Sequence, residues 1–357
     1  MPPLGIGLTK TEPEKGSGCH ENLMGLRKYA KHSKTGLIVY KIYQNWRMGR
    51  QYQSGSIETT HGSTHRNRSI PDSLRYVDGQ FADYLKYSAL TESQLLGKKI
   101  LELGFGDNVG VALRFLAAGA EKVLCLDKFY SARDPQNEYE IYEALRNTLS
   151  REQKERFDAA ISLENGTRIN DKKLICVNGA GLEEFAEQNA GERERFDLIV
   201  SRAVIEEIYD PGPLFTAADQ LLKPAGYMIH MIDLTDYGMF RDNGMHPLTF
   251  LTIPEKIYRL MASNAGIPNR KRIAYYRQKM EEMNYDAKLF VTSVIGKSWV
   301  VPHKERLELG IDYTLETLEL VRQIRSRLQR PFKNMPDEEL IVDGLFLVAK
   351  KPDVSVV

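Results

Sequence analysis

The 357-residue sequence predicts an α/β fold: a doubly wound sheet of seven strands, with helical and loop additions forming a substrate cap. Three observations predict it. From residue 98 short β-branched runs alternate with amphipathic helical stretches, the pattern of strands joined by crossover helices. The first of these runs ends in two glycines one residue apart, Gly104 and Gly106, just before a helix. The second ends in an acid, Asp127.

The elements follow in order. Lys99 to Leu103 reads as the first strand, and Val109 to Ala118 as a helix. Val123 to Leu126 is the second strand, closed by Asp127. In the long insertion after it, Ser150 and Gln153 form a capping box for a helix over REQKERFDAAISL. Leu174 to Val177, Phe196 to Val200 and Tyr227 to Ile232 are strands three to five, the fifth entered from a helix that ends in Leu221-Leu-Lys-Pro-Ala-Gly226. Residues 287–295 and Gly344 to Ala349 read as the closing strands, with a helical segment over about 311–329 between them.

Composition sets the outer limits. Lys and Arg number 49 against 48 Asp and Glu, and 42% of positions are hydrophobic, which suits a folded chain with a sizeable core. The longest apolar stretches, such as Gly36 to Tyr40, fall far short of the roughly 20 residues that cross a bilayer. The N-terminus lacks an apolar core behind a basic start, so a secretion signal is not expected and a cytoplasmic location is. Cys19, Cys125 and Cys176 are an odd number without CxxC spacing, which favours buried thiols over disulfides or zinc.

The balanced charge hides an asymmetry. Residues 22–71 hold nine Lys and Arg against one acid, Glu58, a net +8 that leaves −7 for the remainder. The expected organisation is therefore a flexible N-terminus (1–21), a basic arm or helical cap (22–97) and a main domain (98–357) with cap insertions at about 237–280 and 297–340. Within the arm, GLIVYKIYQNWRM has the spacing of an amphipathic helix. Three roles fit it: a cap packed on the body, a patch for an anionic substrate or anionic lipid surface, or a nucleic-acid contact in which Tyr40, Tyr43, Trp46 and Tyr52 stack. The last is disfavoured, since no nucleic-acid motif accompanies the aromatics.

Leu101-Glu-Leu-Gly-Phe-Gly-Asp-Asn-Val-Gly110 carries the most chemistry. Its glycines let backbone N–H groups approach a ligand without Cβ interference. It is no dinucleotide fingerprint, because position 109 is Val with the next glycine one place late, and it lacks the GK[ST] ending of a phosphate loop. Glu102 would repel a pyrophosphate but attract the ammonium of an amino acid. Asp127, 21 residues after Gly106, can accept both hydroxyls of a ribose. Asn178, ending the third strand, can meet an adenine edge. A nucleoside joined to an amino acid without phosphate is S-adenosylmethionine.

With these residues the sequence resembles the class I S-adenosylmethionine-dependent methyltransferases over about 98–236 and the closing strands. Glu102-Leu-Gly-Phe-Gly106 matches their E/DxGxG loop, VLCLDKF their second-strand acid, VNGAGL the place of a D-A-x-x-L pattern, FDLIVSRAVIEEIYDP their fourth strand and LLKPAG their LLKPGG turn. The resemblance implies a Rossmann-like sheet and S-adenosylmethionine as cofactor, held by Glu102, Gly104, Phe105, Gly106, Asn108, Asp127, Lys128, Asn178, Gly179, Ser201 and Arg202. The layout also resembles, more diffusely, bacterial methyltransferases of polysaccharide and natural-product biosynthesis.

The acceptor is expected beyond the carboxyl ends of strands four and five. His230, oriented by Asp233, is the expected general base for a hydroxyl acceptor. Tyr84, Glu207, Tyr237, His246, Arg270 and Tyr275 are expected to line the acceptor pocket, aromatic faces and Arg forks suiting a sugar or an anionic group. Glu206, Glu207, Asp233 and Asp236 lack tight ligand spacing, so no metal is expected. The leading expectation is O-methylation of a hydroxylated small molecule or glycan. N-methylation and a non-catalytic cofactor-binding scaffold are the alternatives, and a homodimer is possible. A nucleic-acid methyltransferase would carry an NPPY- or DPPY-like tetrapeptide or a Cys nucleophile after the fourth strand, where this chain reads SRAV.

Overall fold

The computed structural model describes residues 33–353 apart from 56, 60–63, 192, 265 and 298. The expected flexible N-terminus, Cys19 and positions 22–32 of the arm lie outside the described residues.

Two helices precede the sheet, α1 (Lys34–Gln53) and α2 (Ile70–Ser88). The Ser33 and Ser69 hydroxyls cap them by accepting N–H bonds from Gly36 and Asp72. The strands are β1 (Lys99–Leu103), β2 (Lys122–Asp127), β3 (Leu174–Asn178), β4 (Phe196–Arg202), β5 (Leu222–Asp233), β6 (Asp286–Val294) and β7 (Val342–Lys350). They form one mixed sheet in the order β6-β7-β5-β4-β1-β2-β3. β1 to β5 run parallel, and β7 is antiparallel to both β5 and β6. The order reverses at β1/β4, and open α/β sheets bind ligands at such a switch point.

Helices cover both faces. On one, α2, α3 (Gly110–Ala117), α4 (Pro135–Thr148) and α5 (Arg151–Ala160) bury Phe81, Phe115, Tyr142 and Phe157 against the sheet. On the other, α6 (Leu182–Gln188), α7 (Gly212–Leu221), α8 (Glu255–Ala262) and α9 (Ile273–Glu282) enclose Phe185, Phe215, Tyr258 and Tyr276. A parallel sheet covered on both faces needs strands apolar throughout, and KVLCLD and LICVN have that composition. Cys125 is buried, Cys176 partly so, and both are free thiols. Among the described residues no helix is long and apolar enough to cross a membrane.

Three boundaries differ from the sequence expectation by three residues or more. The helix expected over 151–163 stops at Ala160, because Ile161–Ser162 turns to pair with Arg168–Ile169. β5 begins at Leu222 rather than Tyr227, because Leu222 already pairs with Phe196 before the ladder shifts to Leu198–Tyr227. The residues between bulge out, with Ala225 at φ 58°. The helix expected over 311–329 is α10 (Leu315–Arg325). Asp312 ends the preceding turn by accepting the Glu308 N–H and pairing with Lys304, and Thr314 then caps the helix.

The arm lies across the carboxyl edge of the sheet. Buried Asn45 of α1 donates to Ser263 Oγ (3.0 Å) and accepts the Asn264 N–H (2.6 Å) just past α8. Glu58–Thr59 pairs in parallel with Tyr130–Ser131 after β2.

Candidate active site

A cavity of about 410 Å³ opens where the carboxyl ends of β1, β2 and β4 meet the arm. Its floor is the loop after β1. Gly104 and Gly106 hold φ of 69° and 62°, a left-handed conformation in which only glycine is unstrained. A Cβ on Gly104 would overlap Val204 Cγ2, so the loops after β1 and β4 touch across this glycine.

Carboxyl groups punctuate the wall. Glu102 is 6% exposed and receives the Cys125 thiol at 3.7 Å, and burial pushes its pKa up to about 8. Asp127 accepts N–H bonds from Gly106 (3.2 Å) and Phe129 (2.9 Å); burial raises its pKa while these bonds oppose the rise. Glu207 opens into the cavity yet is ringed by protein. Lost solvation, reinforced by the charge of Asp127, pushes it up to about 7. Asp107 accepts N–H bonds from His65 (3.1 and 3.3 Å) and Arg66 (3.1 Å) and so ties the arm to the loop.

The structure brings Glu102, Gly104, Phe105, Gly106, Asn108, Asp127, Lys128, Arg202 and Glu207 to this one cavity. The Asn108 side chain is turned to its own backbone, accepting the Gly110 N–H at 2.7 Å. Asn178 and Gly179 do not line the cavity; the wall continues one residue further on, from Ala180 to Glu183, and Ile57 of the arm lies against Gly179. Ser201 faces the opposite side of the sheet and meets His230 Nδ1 at 2.8 Å. His230 is fully buried, edge-on to Phe215, and burial pushes its pKa down to about 3.

The remaining expected acceptor residues also lie away from the cavity. Asp233 accepts the Thr235 N–H, and its own N–H donates to Glu206. Tyr84 is a core residue between Phe115 and Phe346. Tyr237 donates its hydroxyl to buried Glu206 at 3.0 Å. His246 Nδ1 accepts the Leu248 N–H, which leaves Nε2 to donate to the Leu320 carbonyl at 2.8 Å. Arg270 donates to the Phe250 and Ile253 carbonyls and to Glu255 beneath the Tyr258 ring. Tyr275 packs edge-on to Tyr276 under Lys271. Among the described residues no group of three or more His, Cys, Asp or Glu is arranged to hold a metal ion.

Tyr52, His65 and Gln80 line the cavity without having been singled out as site residues in the sequence. For Gln80 a signal exists: Ser73, Tyr76, Val77 and Gln80 share one helical face of α2. Tyr52 stands out in the sequence only as a stacking aromatic of the arm and His65 carries no signal, since the docking of the arm brings both near.

Fold and cavity together define a class. A sheet of this order with an antiparallel last strand, a left-handed double-glycine cradle and two carboxyl groups spaced along it suits a nucleoside that carries an amino acid. The two carboxyl groups are Glu102 and Asp127, and both line the cavity. The chain belongs to the methyltransferase-domain family, whose sequence profile matches residues 73–287. More than half of the chain is thus a methyltransferase domain.

Among curated proteins none matches the sequence significantly. Solved structures with a similar course include a phosphoethanolamine N-methyltransferase 2 of Haemonchus contortus (14% identity, TM-score 0.39, 82% of this chain and 60% of that one). Others are an S-adenosylmethionine-dependent methyltransferase of Mesorhizobium loti (16%, 0.37, 77% and 100%) and the CurJ carbon methyltransferase (11%, 0.40, 95% and 72%).

Proposed function

We propose that the protein methylates a hydroxyl group of a small molecule or glycan, with Glu207 as the proton acceptor. S-adenosylmethionine, when bound, supplies an electrophilic methyl group. The chain must then orient the acceptor in line, exclude water and take one proton. One observation carries the reading: the Glu207 carboxylate opens into the cavity that holds the glycine loop, with a pKa near 7 where a general base works best at neutral pH. Tyr52, Tyr209, Leu214 and Asn264 line the same cavity and offer an apolar, partly hydrogen-bonding bed for an acceptor.

The test is release of S-adenosylhomocysteine across a panel of hydroxylated compounds and sugars. With an acceptor in hand, Glu207→Gln should lower turnover by about 10² to 10⁴ while S-adenosylhomocysteine affinity stays unchanged. Parent activity should rise with pH through about 7 and then level. Turnover within threefold of the parent would refute the role of Glu207.

An amine acceptor is the second reading, and one feature favours it. The lining cations Lys128 and Arg202 belong to the loops after β2 and β4, whereas the stretch from Glu207 to Leu214 adds none and presents one carboxylate, Glu207, to attract an ammonium. Paired hydroxyl and amine versions of one scaffold separate the two readings by which one turns over.

A further inference from the structure

Helix α1 has the composition of a helix covered on both sides. Its sequence, KTGLIVYKIYQNWRMGRQYQ, contains four Lys and Arg and no acid. The inner side is accounted for: Leu37 is buried, Ile38 and Ile42 pack on the core, and Asn45 bonds to Ser263. The outer side is apolar too. Val39 is 59% exposed, Tyr43 37% and Trp46 56%, and at about 100° per residue the three fall within a sector of roughly 60°. Arg50 lies over the Trp46 ring at 5.5 Å, and Arg47 borders the stripe.

The neighbouring helix continues the same surface. α8 packs against α1 and leaves Ile257 (37%) and Leu260 (57%) exposed beside Lys256 and Arg259. The acid of α8, Glu255, is engaged by Arg270 and Tyr209. An apolar stripe with Trp and Tyr, accompanied by basic residues, is what a helix lying in a membrane interface presents.

We propose that the exposed faces of α1 and α8 dock on the surface of an anionic phospholipid bilayer. The aliphatic and aromatic side chains enter the headgroup boundary, and the basic residues meet lipid phosphates. Charge complementarity selects this occupant: Arg47 and Arg50 of α1 and the exposed Lys256 and Arg259 of α8 accompany the stripe, and α1 holds no acid, whereas Lys34 is turned inward to Thr252. The same two helices help to wall the cavity, through Tyr52 of α1 and through Ser263 and Asn264 just past α8. The proposal is independent of which acceptor is methylated.

The experiment is co-sedimentation of the full chain with vesicles of pure phosphatidylcholine or of phosphatidylcholine mixed with phosphatidylglycerol. Binding should be at least about tenfold stronger on the anionic vesicles and fall as salt is raised. Val39→Ser/Trp46→Ser and Arg47→Glu/Arg50→Glu should each weaken it about tenfold or more. S-adenosylhomocysteine affinity by calorimetry should stay within twofold, because none of these four side chains lines the cavity. Equal partition on both vesicle types, or variants that bind like the parent, would overturn the proposal. So would a dimer in light scattering that Trp46→Ser dissociates, since the face would then join two copies of the chain.

Discussion

The two halves of the sheet's carboxyl edge are both rich in charged side chains, yet they use them in opposite ways. At β1, β2 and β4 the carboxyl groups of Glu102, Asp127 and Glu207 face a shared cavity, and lost solvation raises their pKa values. At β5 and β7 burial raises Glu206 and Asp236 as well, but these carboxyl groups brace the fold instead of facing the cavity. Glu206 accepts from the Asp233 N–H and the Tyr237 hydroxyl, and Asp236 accepts from the N–H groups of Gly238, Phe240 and Arg241. Buried Arg272 donates to the carbonyls of Leu234, Leu340 and Val342, joining the end of β5 to the start of β7. Backbone bonds and raised pKa values occur in both regions, Asp127 itself accepting two N–H groups, so what marks a site is the shared cavity.

The sharpest way to break this comparison is at the cradle. Gly104→Val adds a branched side chain where a Cβ alone would meet Val204 and where φ is positive, so the two loops must separate. S-adenosylhomocysteine binding should become undetectable by calorimetry while the circular dichroism spectrum keeps its α/β shape. Retained binding would remove the loop from the cofactor site.

On the bracing side, His230→Ala should cost stability rather than chemistry. Emptying a fully buried position in β5 should lower unfolding free energy by about 2–4 kcal/mol, read from denaturant curves. Turnover per folded molecule should stay within threefold. The pH dependence has a definite sign. His230 titrates near 3 in the fold and near 6.5 in the unfolded chain, so the parent loses its advantage as pH falls from about 6.5 toward 3. The gap between parent and variant should narrow over that window. A large loss of turnover with unchanged stability would return the base to His230.

The smallest expected effect tests the open side. Free Glu102 keeps its proton up to about pH 8, and pairing with an ammonium requires its carboxylate. Cofactor affinity should rise between about pH 6 and 7.5, and Glu102→Gln should bind about tenfold more weakly at pH 7.5 with the pH dependence gone. A variant that keeps the slope would assign the titration to another group.

Much of the site can be read from local sequence. The glycine loop and the second-strand acid are short contiguous segments whose backbone conformation dictates what they can hold, so Glu102, Gly104, Gly106 and Asp127 were legible as one constellation. Residues such as His230, Tyr84 and Arg270 were not. In a sheet covered on both faces, alternation gives no sign of which face meets a ligand and which meets a core. His230 and Ser201 turn to the α7 side, while Arg202, one position later, turns to the cavity.

By itself the sequence determined the strand-helix alternation, the cradle and the basic character of the arm, because each depends on residue type at neighbouring positions. The tertiary structure alone decided which charges stay available. That choice depends on contacts distant in sequence: Asp107 with His65, Asn45 with Ser263, and Arg272 with two strands that meet only after the chain has closed its sheet. Lost solvation and hydrogen bonding are properties of such assembled surroundings, so the same Glu, His or Arg is a site residue in one place and a brace in another.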